Sequence, residues 1–191
     1  MVTAYNANLP PWRDDAASTF TLLQNNGINL HFISNSSTDT IQGQLKQLKG
    51  VANIPVNGGA AKYRITELTW DPPKTGPGIP PTVKKLFADL PAACTDQSLN
   101  NLGRPVYLRR GSYFESIWTA LGEKVPDLST TVFCGDIWEL DLAMPYALGA
   151  NIHFVERAGP FDTYPYERQI VTGYGQRGKI GPDLASLLEW L

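Results

Sequence analysis

The chain is poor in cysteine, histidine and charge, and it has no long apolar run. Two cysteines, Cys94 and Cys134, in 191 residues cannot build the disulfide framework of a small secreted domain. Two histidines, His31 and His153, each lie inside an apolar run with no second His or Cys at ligand spacing. That argues for packed side chains over a zinc site. Charged residues make up 18% of the chain and the net charge is −2. This leaves no basic footprint for nucleic acid, and none is expected as a partner. No stretch approaches the roughly 20 apolar residues that span a bilayer, so no membrane is expected either. The segment MVTAYNANLPPW lacks the basic start and apolar centre of a secretory signal. A cytoplasmic, reducing location follows as the expectation.

What remains is an ordinary globular composition, 42% apolar, with length enough for one domain over residues 1–191 and a sizeable core. Val2–Tyr5 reads as a short strand running into the loop Asn6–Pro11. Asp14 or Asp15 is placed to cap a helix that runs to about Asn25. Ile28–Ile33 is a near-continuous apolar run suited to a buried parallel strand, broken by Ser34-Asn35-Ser36-Ser37. A helix from about Thr38 to Lys49 follows. Residues 51–101 have a looser pattern, with Gly58-Gly59 and the proline-rich Pro72–Pro81. They read as a small insertion or elaboration, with one strand over Lys62–Trp70 and a helix over Thr82–Leu90. Order resumes with strands at Val106–Leu108, Thr131–Cys134 and Ile152–Val155. Helices are expected at Ser112–Leu121, Leu140–Leu148 and Asp183–Leu191. Strands alternating with helices predict an α/β fold with a mainly parallel sheet and helices on both faces.

The densest chemistry lies in TTVFCGDIWELD, where an apolar strand stops at Gly135-Asp136 and a further acid, Asp141, follows five residues on. Carboxylates at the carboxyl edge of a sheet sit where α/β proteins place ligands, and they suit a hard cation such as Mg²⁺. The plainer alternative is that Asp136 caps the next helix. Three other strand ends release polar groups: Asn6-Ala7-Asn8, Ser34-Asn35 and the pair Arg109-Arg110. A hydroxyl, a guanidinium and carboxylates on one edge match the needs of phosphoryl transfer, which is mostly positioning and charge neutralisation.

In its motifs the chain resembles the haloacid dehalogenase-like superfamily of phosphatases and hydrolases. VFCGDIWELDLAMPYALGANIHFVERA is similar to that family's fourth motif, and LHFISNSS to its second, with Ser34 in the hydroxyl position and Asn35 after it. The third motif normally offers a Lys at a helix start, where LRRGSYFESIWTALG has Arg110 or Arg109. Arginine keeps the charge and can grip phosphate bidentately. The first motif departs most. The family's Asp-x-Asp supplies a nucleophile and a general acid/base, and Asn6 and Asn8 stand at those positions. A carboxamide is a poor nucleophile and shuttles no proton.

The resemblance implies a three-layer α/β sandwich on a Rossmann-like sheet and a Mg²⁺-dependent phosphate monoester hydrolase, inactive or impaired as written. The metal ligands it implies are Asn6, Asn8, Asp136 and Asp141, with Trp138 beside them walling a substrate pocket. The partner would be a phosphorylated small molecule or a phosphoprotein. A non-catalytic phosphate- or protein-binding module on the same fold is the alternative.

Overall fold

A computed structural model describes residues 11–68, 79–96, 99, 102–124, 127–157 and 162–191. The expected first strand, Asn6 and Asn8 lie outside the described residues, as does Trp70. The described chain is a mixed α/β protein with two small parallel sheets. Strand β1 (Phe32–Ile33) pairs with β2 (Val56–Asn57), and β3 (Val132–Gly135), β4 (Asn151–Val155) and β5 (Gly178–Gly181) stand side by side in that order. The helices are α1 (Ala16–Asn25), α2 (Thr38–Leu45), α3 (Pro81–Ala88), α4 (Gly111–Ala120), α5 (Ala143–Ala147) and α6 (Pro165–Gly173).

Period-two alternation at β1 sends successive side chains to opposite sides. Phe32 packs edge-to-face with Trp12 and Phe20 at 5.7 and 5.6 Å. Ile33 instead joins the main core, which holds Val83, Phe87, Phe114, Ile117, Trp138, Ile152 and Phe154. Phe87 and Phe114 meet at 5.2 Å there, fastening α3 to α4.

Several elements differ from the sequence expectation for identifiable reasons. Only Phe32–Ile33 of the Ile28–Ile33 run is paired, and Ile28 is exposed. Its partner β2 comes from residues 51–101, so part of that supposed elaboration contributes to a sheet. Lys62–Leu68 forms no strand; it has a single bridge, Thr66 to Arg110. Val106–Leu108 likewise makes only a bridge, Tyr107 to Ala93. Asp15 is the helix-start residue of α1, but its carboxylate accepts the Ala185 N–H at 2.8 Å and does not cap the helix. The expected helix over Leu140–Leu148 begins as a wide turn, Trp138–Leu142, with π-helical bonding. Pro145 has no N–H to give the Asp141 carbonyl four residues back, and that carbonyl accepts the Tyr113 hydroxyl at 2.7 Å. The final segment, Ala185–Trp190, winds as a 3₁₀ helix. Helix α6 and strand β5 are additional to the expected elements.

Candidate functional site

Asp141 and Lys62 form the centre of the polar cluster. The Lys62 ammonium donates to Asp141 Oδ1 at 2.7 Å, with both side chains about seven-eighths removed from water. The other Asp141 oxygen accepts the Ile137 N–H at 3.1 Å. Gly135 makes this possible: a Cβ there would lie 2.4 Å from the Asp141 Cβ and 2.8 Å from Oδ2. The Gly-Asp-x₄-Asp spacing thus has a steric cause. The wide turn brings Asp141 back over the end of β3, and only glycine leaves room for it.

Lys62 is held from every side. Its N–H donates to Asn35 Oδ1 at 2.7 Å and its carbonyl accepts Arg110 Nη1 at 2.6 Å. Its ammonium lies 5.3 Å from the centre of the Tyr113 ring. The loop carrying it runs beside the loop after β1. Gly59 N–H donates to the Ser36 carbonyl and Ala60 N–H to the Ser34 carbonyl, both at 2.9 Å. Ser34 Oγ accepts the Ser36 N–H at 3.1 Å, so its oxygen also shapes its own turn. Through Asn35 and Lys62, the Ser34-Asn35 loop and the Gly135–Asp141 loop are joined into one neighbourhood.

Asp136 follows Gly135 and makes no ion pair among the described residues. Loss of solvation, and then the Asp141 carboxylate, push its carboxyl above the usual range, against the pull of Arg157. Its side chain does not cap the following turn, because Asp141 takes the Ile137 N–H. The Asp136 carbonyl accepts the Arg157 guanidinium, which is itself anchored on Glu167.

The two arginines separate. Arg110 is 2% exposed and binds Glu139 Oε1 at 3.3 Å as well as the Lys62 carbonyl. Burial lowers its pKa and Glu139 opposes that loss. Glu139 also holds Arg104 in a two-pronged pair at 2.6 and 3.1 Å. Arg109 is elsewhere: it donates to the carbonyls of Leu90 and Ala88, closing the end of α3. Trp138 is wholly buried, its indole N–H donating to Tyr174 at 2.9 Å, so it backs the turn from within the core.

Lys62 is the residue that sequence reasoning missed. It opens the Lys62–Trp70 run that reads as a strand, three residues after Gly59, and nothing in that pattern singles it out. A clue was available in Gly58, where a Cβ would lie 2.1 Å from the Thr38 N and 2.7 Å from the Ser36 carbonyl. A glycine at a strand end signals close approach of two backbones.

His31 pairs with Asn57 at 2.6 Å on the surface. His153 is packed, as its run suggested, between Ser186 and Trp190. Both cysteines are free thiols. Among the described residues no group of three or more His, Cys, Asp or Glu gathers as a metal site, and no helix is long and apolar enough to cross a membrane. No family model, curated protein or solved structure matches this chain.

Proposed function

We propose that the protein is a phosphate monoester hydrolase scaffold of the haloacid dehalogenase-like type, Mg²⁺-dependent and inactive or impaired as written. The observation that carries this is the Lys62–Asp141 pair at 2.7 Å, beside Asp136, which has no ion pair among the described residues, and tied through Asn35 to Ser34. It provides a fixed ammonium, a hydroxyl and a carboxylate on neighbouring loops, the set that phosphoryl transfer uses. In this assignment Lys62 is the cation of the third motif. Arg110 orients it, and Arg109 has no part.

The chemistry of the carboxylates fits a cation. Loss of solvation, and then the Asp141 carboxylate, raise the Asp136 pKa, and a cation there would relieve both. Asp136 would hold Mg²⁺ together with the amide oxygens of Asn6 and Asn8, whereas Asp141 has both oxygens engaged and acts through Lys62. When bound, the ion would neutralise charge on the phosphoryl oxygens. Ser34 would bind one of those oxygens, and Lys62 another. With Asn6 and Asn8 at the nucleophile and acid/base positions, neither covalent attack nor proton transfer is available. The substrate side is a phosphorylated small molecule or phosphoprotein, and two free thiols accord with a cytoplasmic setting.

The finer fold belongs to the same proposal. The orders β2-β1 and β3-β4-β5 leave β1 and β3 each with one side unpaired among the described residues. One strand between them would join the two into the Rossmann-like sheet that the resemblance implies.

Hydrolysis of a generic aryl phosphate with Mg²⁺ tests the function, comparing this chain with Asn6→Asp/Asn8→Asp. Turnover in the double variant alone supports it. No turnover in either folded protein, with no Mg²⁺ binding, overturns it. Phosphate binding without turnover in either would favour the binding-module alternative.

A further inference from the structure

A cleft of about 460 Å³ opens between α4 and the end of β2, on residues that the phosphoryl site does not use. Its lining includes Asn57, Ser112, Glu115, Ser116 and Thr119, with Gly58 in its wall. The volume lies within the roughly 300–1,000 Å³ typical of small-molecule sites. Thr38, Ser112, Ser116 and Thr119 line it with hydroxyls, and Val56 is the one large apolar side chain among these residues. Its wall is preformed. Gly58 lies hard against the start of α2, where a Cβ would collide with the Thr38 N at 2.1 Å, and its N–H donates to Thr38 Oγ1 at 3.0 Å.

Glu115 is the one charged residue among those that line this cleft. Its Oε1 is shielded from water and has no hydrogen-bond partner among the described residues. An unpartnered carboxylate oxygen costs stability, because burial strips its hydration and nothing replaces it. Burial also raises its pKa, in line with the missing partner. No structural gain in the fold offsets that cost, since α4 is fixed by Phe114, Ile117 and Trp118 on its other faces. A glutamine there would serve the fold better.

We propose that this cleft binds a small hydroxylated organic cation, an amino sugar or amino alcohol in its ammonium form, with the ammonium on Glu115. One carboxylate matches one positive charge. A divalent metal wants several oxygen ligands and more negative charge, and it would leave most of 460 Å³ unfilled. The ring of hydroxyls and the Asn57 amide suit a ligand that carries hydroxyls of its own. The site is independent of the phosphoryl proposal.

Titrating the ¹⁵N-labelled full chain with glucosamine at neutral pH tests this, with glucose and N-acetylglucosamine as uncharged controls. The expected result is amide shifts at Gly58, Gly59, Ser112 and Ser116 with glucosamine only. Glu115→Gln should weaken binding about 10-fold to 100-fold, the worth of a charge-assisted hydrogen bond. It should also melt no lower than the parent, whereas a lower melting temperature would assign Glu115 a structural role and overturn the proposal. Thr119→Lys, at an exposed helix position, places a competing ammonium at the cleft and should abolish the shifts. No shift with glucosamine, equal shifts with the neutral sugars, or a titration unchanged by either substitution would also overturn it.

Discussion

Lys62 and Asp141 lie 79 positions apart in the chain and 2.7 Å apart in space. The pair closes the gap between the loop after β2 and the turn after β3, so each sheet supplies one of its charges. With only 13% and 14% of the side chains exposed, neither charge is well solvated alone. Removing one strands the other.

Lys62→Met should therefore destabilise the fold by roughly 3 kcal/mol, the scale for breaking a buried pair. Lys62→Met/Asp141→Asn should recover a large part of that loss, because no lone charge remains. Urea denaturation of the single and double variants measures the coupling. Strict additivity would contradict the pairing.

Gly135→Ala tests the steric account of the Gly-Asp-x₄-Asp spacing. The added methyl would sit 2.4 Å from the Asp141 Cβ and 2.8 Å from its carboxylate. A loss of roughly 1–3 kcal/mol is expected, typical of over-packing, together with displacement of the Lys62 amide resonance. An unperturbed Lys62 amide would show that Asp141 does not depend on the glycine.

The adjacent arginines should behave very differently. Arg110→Ala removes a 2%-exposed guanidinium and leaves the Lys62 carbonyl without its donor, for a loss of roughly 3 kcal/mol. Arg109→Ala frees two carbonyls at the more exposed end of α3 and should cost about 1 kcal/mol. Chemical denaturation of the two variants decides it, and equal losses would contradict the assignment.

These placements also show what was legible in the sequence. The end of β3 was readable because Gly135-Asp136 terminates an apolar run, and the β1 loop because four polar residues break another. The Arg109-Arg110 pair was readable as a pair, but consecutive residues at a helix start point in different directions, and sequence carries no sign of which enters the core. Lys62 was hidden for a different reason. Its position depends on bonds between its backbone and the side chains of Asn35 and Arg110, which are remote in sequence and leave no periodic trace. Strand β5 was missed because Gly178 and Gly181 dilute its apolar pattern. Both glycines are demanded by close neighbours, Val171 and Ser186.

His153 predicts an acid-sensitive carboxyl-terminal segment. Trp190 Nε1 can only donate, so Nδ1 of His153 is the acceptor at 3.1 Å and Nε2 carries the proton toward Ser186 Oγ at 2.8 Å. Burial, then Lys179, lower its pKa to about 4, against Asp183. The unfolded chain therefore binds this proton first. The stability it contributes is full above pH 6.5 and is lost as pH falls from 6.5 to about 4. The loss totals roughly 3 kcal/mol. Melting curves across that window should fall less steeply for His153→Gln, and identical slopes would contradict the burial of a neutral ring.

The central claim is a phosphoryl-binding hollow shared by Lys62, Ser34 and Asp136, and calorimetric binding of inorganic phosphate to the chain as written tests it most directly. Binding should strengthen with Mg²⁺ and weaken at least about 10-fold in Lys62→Met and in Asp136→Asn, since each removes a charged hydrogen-bonding or metal-holding group. Phosphate that fails to bind in the presence of Mg²⁺, or that binds equally well to both folded variants, would contradict the account.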